Sequence, residues 1–463
     1  MSKEAVKEKL RRLESPRAVF GILLIVWIPW AVLCFPGNIL YDAGTSIAWF
    51  LNLNRSNVNN PWFQNLLMGV FYRIGDLAGI PPLGVYLYCC GQMVLEAWIL
   101  SRLIPYLAER VGAGKGAYLL IPLYGLLPVF PIYAVMMGKD SNFGVALLAA
   151  VYLLIRAATE REAFWSRPRN YWILAALPAV LGLLRNHGGW IPLAVFAVLV
   201  LKAKKKAGIL PAAVSALAVV SAAVLIPAAA GIPAGEMKEE MSIPLQSTAC
   251  YAMAHPEEVT EEEWNVITKA VDREILLGAY NPMIADPVKD RSVFTAETRG
   301  EFLRMWLGLL RKHPGTILRG WWDSVHLYFS LTECSPVKSH VFFGVNMEPE
   351  LQEQLRLYSW EGGNYIAKGA WHVSMMVPGI RVLQRIGLYS WLTLGMTAAA
   401  LCFRKIRKYL PCCLLLLMVL GACLLSPVNG YYRYAFSMIL SVPAVLAAVL
   451  GAVRSHRKDP DSK

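Results

Sequence analysis

Charged residues are scarce in this chain. Asp, Glu, Lys and Arg together make up 17% of its 463 residues, whereas hydrophobic residues make up 56%. A water-soluble protein of this length contains about 25% charged residues, because its surface must be covered by them. The composition therefore excludes an ordinary soluble protein and favours one that is embedded in a membrane.

Cysteine motifs are missing as well. The nine cysteines form no Cys-x-x-Cys pair and show no spacing typical of a zinc site. Most of them lie in or beside apolar runs, where a thiol packs as a small hydrophobic group. Cys250 and Cys334 are the two in a polar segment, and the sequence leaves open whether they form a disulfide or remain free thiols. No metal ligand set is predicted, since His187 has no second ligand at a suitable spacing.

Long apolar runs account for most of the composition. Crossing a bilayer takes about 20 helical residues, and every backbone group must be paired inside the lipid. The first run is followed by no small-residue cleavage site, so it predicts an uncleaved helix and not a signal peptide. We predict an all-α polytopic membrane protein with about ten transmembrane helices. The clearest runs are Ala18–Phe35, Ala117–Met137, Ile209–Ala230, Leu410–Leu425 and Ala435–Val453.

The net charge of +13 is unevenly distributed. Residues 231–378 contain 20 acidic and 13 basic residues, whereas the remainder contains 12 acidic and 32 basic ones. In the remainder the basic residues form short clusters between apolar runs, a pattern typical of cytoplasmic loops and not of nucleic-acid binding. Both termini are therefore predicted to be cytoplasmic. The clusters are Lys3–Arg12, Arg156–Arg169, Lys202–Lys206, Arg404–Lys408 and Arg454–Lys458.

These clusters determine the predicted path of the chain. A single helix over residues 171–201 would bury Arg185 and His187 in lipid and would move Lys202–Lys206 outside, so we predict two short helices there. A re-entrant hairpin would solve the same problem. Residues 62–80 are amphipathic and are expected to lie along the interface. The other predicted helices cover residues 18–35, 82–107, 117–137, 142–158, 209–230, 386–403, 410–425 and 434–453.

Three units follow from this path. Residues 1–230 form an N-terminal membrane module with a first outer loop at 36–80, and residues 379–463 form a C-terminal membrane module. Between helices 7 and 8, residues 231–378 form an extracytoplasmic segment with predicted helices at 260–271 and from Arg299, which breaks at His313-Pro314-Gly315. Trp306, Trp321 and Trp322 favour placing part of this segment on the membrane surface.

Almost every unusual polar residue falls on the predicted outer side. Asp42 and Asp140 would also serve as helix N-caps, and Lys139 and Arg185 as side chains that reach the interface. Taken together, they favour an outward-facing site at the lipid–water boundary. The candidate catalytic residue is Asp42, and the candidate substrate-binding residues are Asn60, Lys139, Asp140, Arg185, Asn186, Gln246 and Arg433.

Glu96 departs from this one-sided pattern. It lies near the middle of predicted helix 2, one turn after Gln92. A lone acid at that depth costs about 2.5–3.5 kcal/mol on insertion, so it is a functional hypothesis in its own right. Glu96 is the best argument for the alternative function, a transporter or flippase of a lipid-linked saccharide.

Several short motifs follow one another along the chain. They are Phe35-Pro36-Gly37 with Asp42, Asn59-Asn60-Pro61, Lys139-Asp140, Arg185-Asn186, Ile243-Pro244-Leu245-Gln246, Pro427 and Arg433-Tyr434. Their order resembles that of the GT-C superfamily of membrane glycosyltransferases, and in particular an uncharacterised bacterial branch of it. The resemblance covers nearly the whole chain.

The resemblance implies a GT-C-like fold in the bacterial cytoplasmic membrane, with the active site facing outward and a sugar donor carried on a polyprenyl phosphate. It also implies that an Asp in the first outer loop assists the acceptor, a role that would fall on Asp42. In this chain Asp42 is followed by Ala43, where better-known members have a second acid. A requirement for a divalent metal therefore stays open.

The residue types agree with this implication. Nucleotide sugars are confined to the cytoplasm, so an outer-face transferase needs a donor carried by lipid. Glycosyl transfer needs a carboxylate near the acceptor hydroxyl and cations at the departing phosphate. Asp42 suits the first role, and Lys139 and Arg433 suit the second. We expect transfer of a sugar from a polyprenyl-phosphate carrier to an acceptor that the sequence does not identify.

The predicted path is testable by cysteine labelling of intact cells. An impermeant thiol reagent should modify cysteines introduced near Asp42, Asn186 and Asn429, and should reach those near Lys204 and Lys405 only after permeabilisation. The physical basis is retention of Lys and Arg clusters in the cytoplasm. Labelling of the Lys204 position in intact cells would contradict the two short helices over residues 171–201.

Overall fold

A computed structural model describes residues 14–53, 60–233 and 235–457. The cluster Lys3–Arg12, Asn59 and Lys458 lie outside the described residues. The elements of the first half are α1 Pro16–Leu33, β1 Asn38–Ile39, α2 Tyr41–Phe50, α3 Trp62–Leu77, α4 Pro81–Glu109, a 3₁₀ turn Gly114–Leu119, α5 Leu120–Leu126, α6 Val129–Ala134, β2 Met136–Met137, α7 Lys139–Glu160, α8 Glu162–Trp165, α9 Pro168–Leu184, α10 Trp190–Lys204, α11 Ile209–Val220, a π-helical turn Ser221–Leu225 and α12 Ile226–Ala229.

The second half is helical too. Its elements are α13 Ser242–Ala254, a 3₁₀ turn Pro256–Glu258, α14 Glu261–Thr268, α15 Arg273–Gly278, α16 Asp286–Lys289, α17 Ala296–Lys312, α18 Pro314–Asp323, α19 Pro349–Gln354, α20 Glu361–Met376, α21 Pro378–Leu383, α22 Ile386–Cys402, α23 Leu410–Leu424 and α24 Tyr432–Arg457.

The prediction of an all-α protein is confirmed for the described residues, in which the two strands contain two residues each. Six helical stretches in this part of the chain are long and apolar enough to cross a membrane. One of them, Trp190–Ala229, contains both α10 and α11, which pack against each other across a break at Lys205. The number of about ten crossings stays a prediction.

The region 171–201 forms two helices, as predicted. α9 ends at Leu184 and α10 begins at Trp190. The turn between them is tight, since a Cβ added to Gly189 would lie 2.5 Å from the carbonyl oxygen of Pro178. Arg185, Asn186 and His187 are thereby held at one end of the helix bundle.

The predicted single helix over residues 117–137 is wrong. Pro128 disfavours a helical conformation of the preceding Leu127, whose ψ of 112° separates α5 from α6. The side-chain amide of Gln92, on α4, pairs with the backbone where this stretch ends. It donates hydrogen bonds to three carbonyl oxygens at the end of this stretch, those of Tyr133, Ala134 and Met136.

The broken stretch still runs from one end of the bundle to the other. At its start, the hydroxyl of Tyr118 donates a hydrogen bond to the carbonyl oxygen of Glu14, next to the start of α1. At its finish, β2 pairs in parallel with β1, which follows the end of α1. We call these two ends of the bundle the Glu14 end and the Asp42 end, since α2, which contains Asp42, directly follows β1.

The described part of residues 231–378 lies at the Asp42 end and divides among three hydrophobic clusters, one of which consists of Tyr251, Leu309 and Ile317. Residues 241–302 share a small core around Trp264 and Phe302, whereas residues 325–371 pack into the main core of the bundle. The helices predicted at 260–271 and from Arg299 are confirmed as α14 and α17, and the second ends before Pro314 as predicted.

The tryptophans of this segment are mostly bound within the protein. The indole N–H of Trp306 donates to the Ser247 hydroxyl, and that of Trp321 donates to the Leu424 carbonyl oxygen. Trp322 is exposed. Trp321 therefore fastens α18 to the end of α23, and placement of the segment on a membrane surface stays a prediction. In the described structure Cys250 and Cys334 are free thiols.

Candidate functional site

Two helices begin at the Asp42 end with an acid in their first turn. Asp42 and Asp140 are each the second residue of a helix, α2 and α7 respectively. The N-cap positions are Leu40 and Gly138. The alternative interpretation of Asp42 and Asp140 as helix N-caps is therefore wrong. A carboxylate in a first turn is nevertheless stabilised by the helix dipole. Both acids are thus available to residues on other helices.

Arg433, in the first turn of α24, lies between these two carboxylates. Its Nη2 is 2.7 Å from Asp42 Oδ2, and its Nε is 3.4 Å from Asp140 Oδ2. The side chains of Arg433 and Asp140 are 9% and 2% exposed, respectively. The rings of Tyr431 and Tyr434 lie 5.0 and 5.2 Å from the guanidinium carbon, within range of a cation–π contact. One buried guanidinium therefore joins the starts of α2, α7 and α24.

Lys139 and Asn60 complete the more exposed side of this arrangement. Lys139 Nζ lies 3.1 Å from Asp42 Oδ2 and donates a hydrogen bond of 2.5 Å to Asn60 Oδ1. The side chains of Lys139 and Asp42 are 20% and 26% exposed. Lys139 is thus a partner of Asp42, and solvent reaches both of them.

Arg185, in the α9–α10 turn, supplies a third cation. Its Nη1 is 3.5 Å from Asp140 Oδ1 and donates to the Tyr434 carbonyl oxygen at 3.4 Å. Its guanidinium also lies against the rings of Phe143 and Tyr434. The ring of Tyr434 is therefore shared by two arginines, Arg185 and Arg433.

We call Asp42, Lys139, Asp140, Arg185 and Arg433 the charged cluster. Its three cations and two carboxylates give a formal charge of +1. Burial alone would raise the pKa of Asp42, but the charges of Arg433 and Lys139, and the hydrogen bonds from both, outweigh it and hold this pKa well below its ordinary value. Asp42 is therefore ionised at neutral pH and is a weak base while both pairs are intact.

An apolar cavity of about 500 Å³ adjoins Arg185, between the α9–α10 turn and α23. Among the described residues that line it, Arg185 is the one charged side chain, and Asn186 is beside it. The wall opposite is aliphatic and consists of Leu414, Leu417, Met418, Val419, Gly421, Ala422 and Leu425. We call this cavity the apolar groove, and the cation Arg185 lies at its edge. A ligand with an anionic head and a long apolar chain requires this combination of a cation and an apolar surface.

A smaller cavity of about 180 Å³ lies on the other side of Asn186. It is lined by Trp62 and by the π-helical turn Ser221–Leu225, whose Ala222 carbonyl oxygen accepts a hydrogen bond from the Trp62 indole at 2.9 Å. Such π-turns are frequent at functional sites. Asn186 lines both cavities and lies next to Arg185 of the charged cluster.

Gln246 is not brought to the charged cluster in the described contacts. It is buried in α13, and its amide donates to the carbonyl oxygen of Asn281 at 2.8 Å. The loop that follows Asn281 pairs with the residues before α24, through Ala285 N to Pro427 O at 2.7 Å. Gln246 therefore supports the loop that precedes Arg433 and does not itself face the cluster.

Three neutral polar side chains near the cluster were not among the sequence candidates. The hydroxyl of Tyr88 accepts hydrogen bonds from the amides of Gln64 and Asn142. Asn142 lies one turn after Lys139, and the polar run at the start of α7 is a signal that could have identified it. Tyr88 and Gln64 lie among apolar residues, where nothing in the sequence distinguishes them.

The described fold is that of an all-α membrane protein with a charged cluster where several helices meet. Residues 53–463 match the model of a family described as "Family of unknown function (DUF6020)", and the chain belongs to this family. The matched residues include Lys139, Asp140, Arg185 and Arg433, whereas Asp42 precedes them. No curated protein and no solved structure matches the chain.

The central role of Arg433 predicts a large loss of stability on substitution. Arg433→Gln leaves Asp140 buried with a single cation nearby, so unfolding in detergent should become easier by about 3–5 kcal/mol. Arg299→Gln is the matched control, because Arg299 pairs with Glu240 at the surface and should cost less than about 1 kcal/mol. Adding Asp140→Asn to Arg433→Gln should recover part of the loss. An Arg433→Gln protein that unfolds like the wild type would contradict this assignment.

Proposed function

We propose that the protein is a membrane glycosyltransferase of the GT-C type. It would move a sugar from a polyprenyl-phosphate carrier to an acceptor at the outer face of the cytoplasmic membrane. The observation that carries the proposal is the junction of the charged cluster with the apolar groove. This junction offers cations for a phosphate and aliphatic surface for a lipid chain.

The donor phosphate fits the cations of the cluster. Arginine guanidinium groups bind phosphate oxygens through paired hydrogen bonds, and Lys adds a compact charge. Arg185 lies at the edge of the apolar groove, so a phosphate there can have its isoprenoid chain along α23. Arg433 shares Asp140 with Arg185, and both Arg433 and Lys139 pair with Asp42. A donor bound in this way has its sugar next to Asp42.

The low pKa of Asp42 needs a trigger before Asp42 can act as a base. A phosphodiester carries one negative charge, which matches the formal +1 of the cluster. In the proposed mechanism the phosphate binds Arg433 and Lys139 and thereby weakens both ion pairs of Asp42. The Asp42 carboxylate then regains basicity and turns toward the acceptor hydroxyl.

The transfer step then balances as follows. The acceptor oxygen forms a bond to the anomeric carbon while the bond from that carbon to the phosphate oxygen breaks. The acceptor proton passes to Asp42. The departing polyprenyl phosphate gains a second negative charge, which Arg433 and Lys139 stabilise. Asn60 holds Lys139 in place through its hydrogen bond.

A transporter or flippase for a lipid-linked saccharide is the second candidate. Glu96 is fully buried in α4, and neither of its carboxylate oxygens has a hydrogen-bond partner among the described residues. The interrupted stretch at Leu127-Pro128 is also of the kind that transporters use. Gln92, however, is engaged by the backbone carbonyls of that stretch. Of Gln92 and Glu96, Glu96 is thus the one whose burial no described hydrogen bond explains.

Substitution of Asp42 tests the catalytic role. Asp42→Asn keeps the size of the side chain but removes the base, so transfer from a labelled polyprenyl-phosphate sugar in membranes should fall by about 100-fold or more at normal expression. Asp272→Asn, at an exposed helix end, is the control and should transfer normally. Full transfer by Asp42→Asn would remove Asp42 from the mechanism. A defect confined to Glu96→Gln would favour the transporter.

Filling the apolar groove tests the site of the lipid chain. Gly421 lines the groove, and a Cβ there meets no atom within 4 Å, so Gly421→Trp should be accommodated and should occupy the groove. We expect KM for a long-chain donor to rise about tenfold or more, since each buried CH₂ contributes about 0.8 kcal/mol. KM for a short-chain donor should change little.

Gly395→Trp is the matched control for this substitution. Gly395 lies on an exposed face of α22 and also has no atom within 4 Å of an added Cβ. It should leave both donors unaffected. An equal rise in KM for the long and short donors with Gly421→Trp would show that the groove does not hold the chain.

A further inference from the structure

Two helices of the segment 231–378 end at a histidine that precedes a proline. α13 ends before His255-Pro256, and α17 ends before His313-Pro314. Proline disfavours a helical conformation of the residue before it, so each histidine leaves its helix in the same way. Their φ and ψ values are −134° and 56°, and −135° and 67°. The two imidazole rings then lie against each other, with centroids 4.2 Å apart.

Glu258, at the end of the 3₁₀ turn that follows His255, contacts a nitrogen of each ring. Its Oε1 is 3.2 Å from His255 Nδ1, and its Oε2 is 2.8 Å from His313 Nε2. The three potential ligand atoms of this group lie within 4.8 Å of one another. All three side chains are partly exposed, so solvent and ions have access to the group.

The opposite nitrogen of His255 is also engaged. His255 Nε2 lies 3.0 Å from the hydroxyl oxygen of Thr316, in the first turn of α18. Histidines that bind metals almost always use their second ring nitrogen in this way, which orients the ring. Lys312 is close, but its Nζ donates to the Glu258 carbonyl oxygen and the Tyr251 hydroxyl. Both carboxylate oxygens of Glu258 therefore remain available on the side that faces His255 and His313.

We propose that His255, Glu258 and His313 form a binding site for Zn²⁺. Two imidazoles and one carboxylate are a ligand set that zinc favours, with ligand bonds of about 2.0–2.2 Å and a fourth position for water. To reach these bond lengths the three ligand atoms must move closer to the ion, and rotation of their side chains allows this movement. Mg²⁺ and Ca²⁺ prefer oxygen ligands and fit poorly.

Zinc at this site would connect two helix ends while one coordination position stays open to water. With the ion bound, coordinate bonds join the end of α13 to the junction of α17 and α18. No described contact links this zinc site to the charged cluster, so the inference is independent of the proposed glycosyl transfer.

Metal content of the purified full-length protein tests the site. After treatment with a chelator, dialysis against a small excess of Zn²⁺ and then against metal-free buffer, we expect about one zinc per chain by mass spectrometry of the metal. His255→Ala and His313→Ala should each lower the Zn²⁺ affinity by more than tenfold. Thr316→Val should lower it by about 10–100-fold, because the ring loses its orienting partner. His372→Ala, at an exposed histidine elsewhere, is the control and should bind zinc normally.

Glu258→Gln keeps the inference testable if a histidine variant fails to fold. It removes one ligand at a partly exposed position with little change in size, and it should also weaken Zn²⁺ binding. Excess Mg²⁺ should not compete. The proposal is overturned if the wild type binds no stoichiometric zinc, or if the His255→Ala/His313→Ala double variant binds zinc as well as the His372→Ala control does.

Discussion

The position of one guanidinium group determines how the Asp42 end is built. Arg433 is nearly excluded from water, and removing an ion from water costs several kcal/mol unless it is paired. The carboxylates of Asp42 and Asp140 and the faces of two tyrosines supply that pairing. Because the two carboxylates sit in the first turns of two other helices, a shift of α24 by one residue along its axis would separate Arg433 from both of them. The ion pairs therefore specify the register of three helices as well as the charge of the site.

Much of the membrane architecture could be predicted from the sequence. Apolar runs bounded by basic clusters report directly on burial in lipid, and the helices around residues 18–35 and 82–107 are confirmed by α1 and α4. The interruption at Leu127-Pro128 was missed because hydropathy measures apolarity and carries no information on backbone pairing. The carbonyl oxygen of Tyr124, just before the interruption, accepts a hydrogen bond from the indole of Trp27, which belongs to another helix. Gln92, which looked like a functional polar residue in the sequence, pairs with backbone carbonyl oxygens at the end of the stretch.

The sequence predicted most residues of the charged cluster but not which of them form ion pairs with each other. Polar residues on the predicted outer side were enough to nominate Asp42, Lys139, Arg185 and Arg433, which the fold brings together. That Arg433 pairs with both acids depends on packing between residues 391 positions apart, which no local pattern records. Gln246 was nominated by its motif, yet it is a support for a loop. The His255–His313 group went unnoticed since its ligands come from separate helices, although both His-Pro pairs are visible in the sequence.

The pairing of Asp42 with Arg433 also has a consequence for biosynthesis. Asp42 leaves the ribosome early and Arg433 late, so a growing chain exposes both acids at the membrane boundary long before their shared cation exists. During this interval Lys139 and Arg185 are the cations available to the two acids. Only insertion of α24 brings the guanidinium between them. Completion of the helix bundle and assembly of the charged cluster are therefore one event, and a chain without inserted α24 lacks the complete cluster.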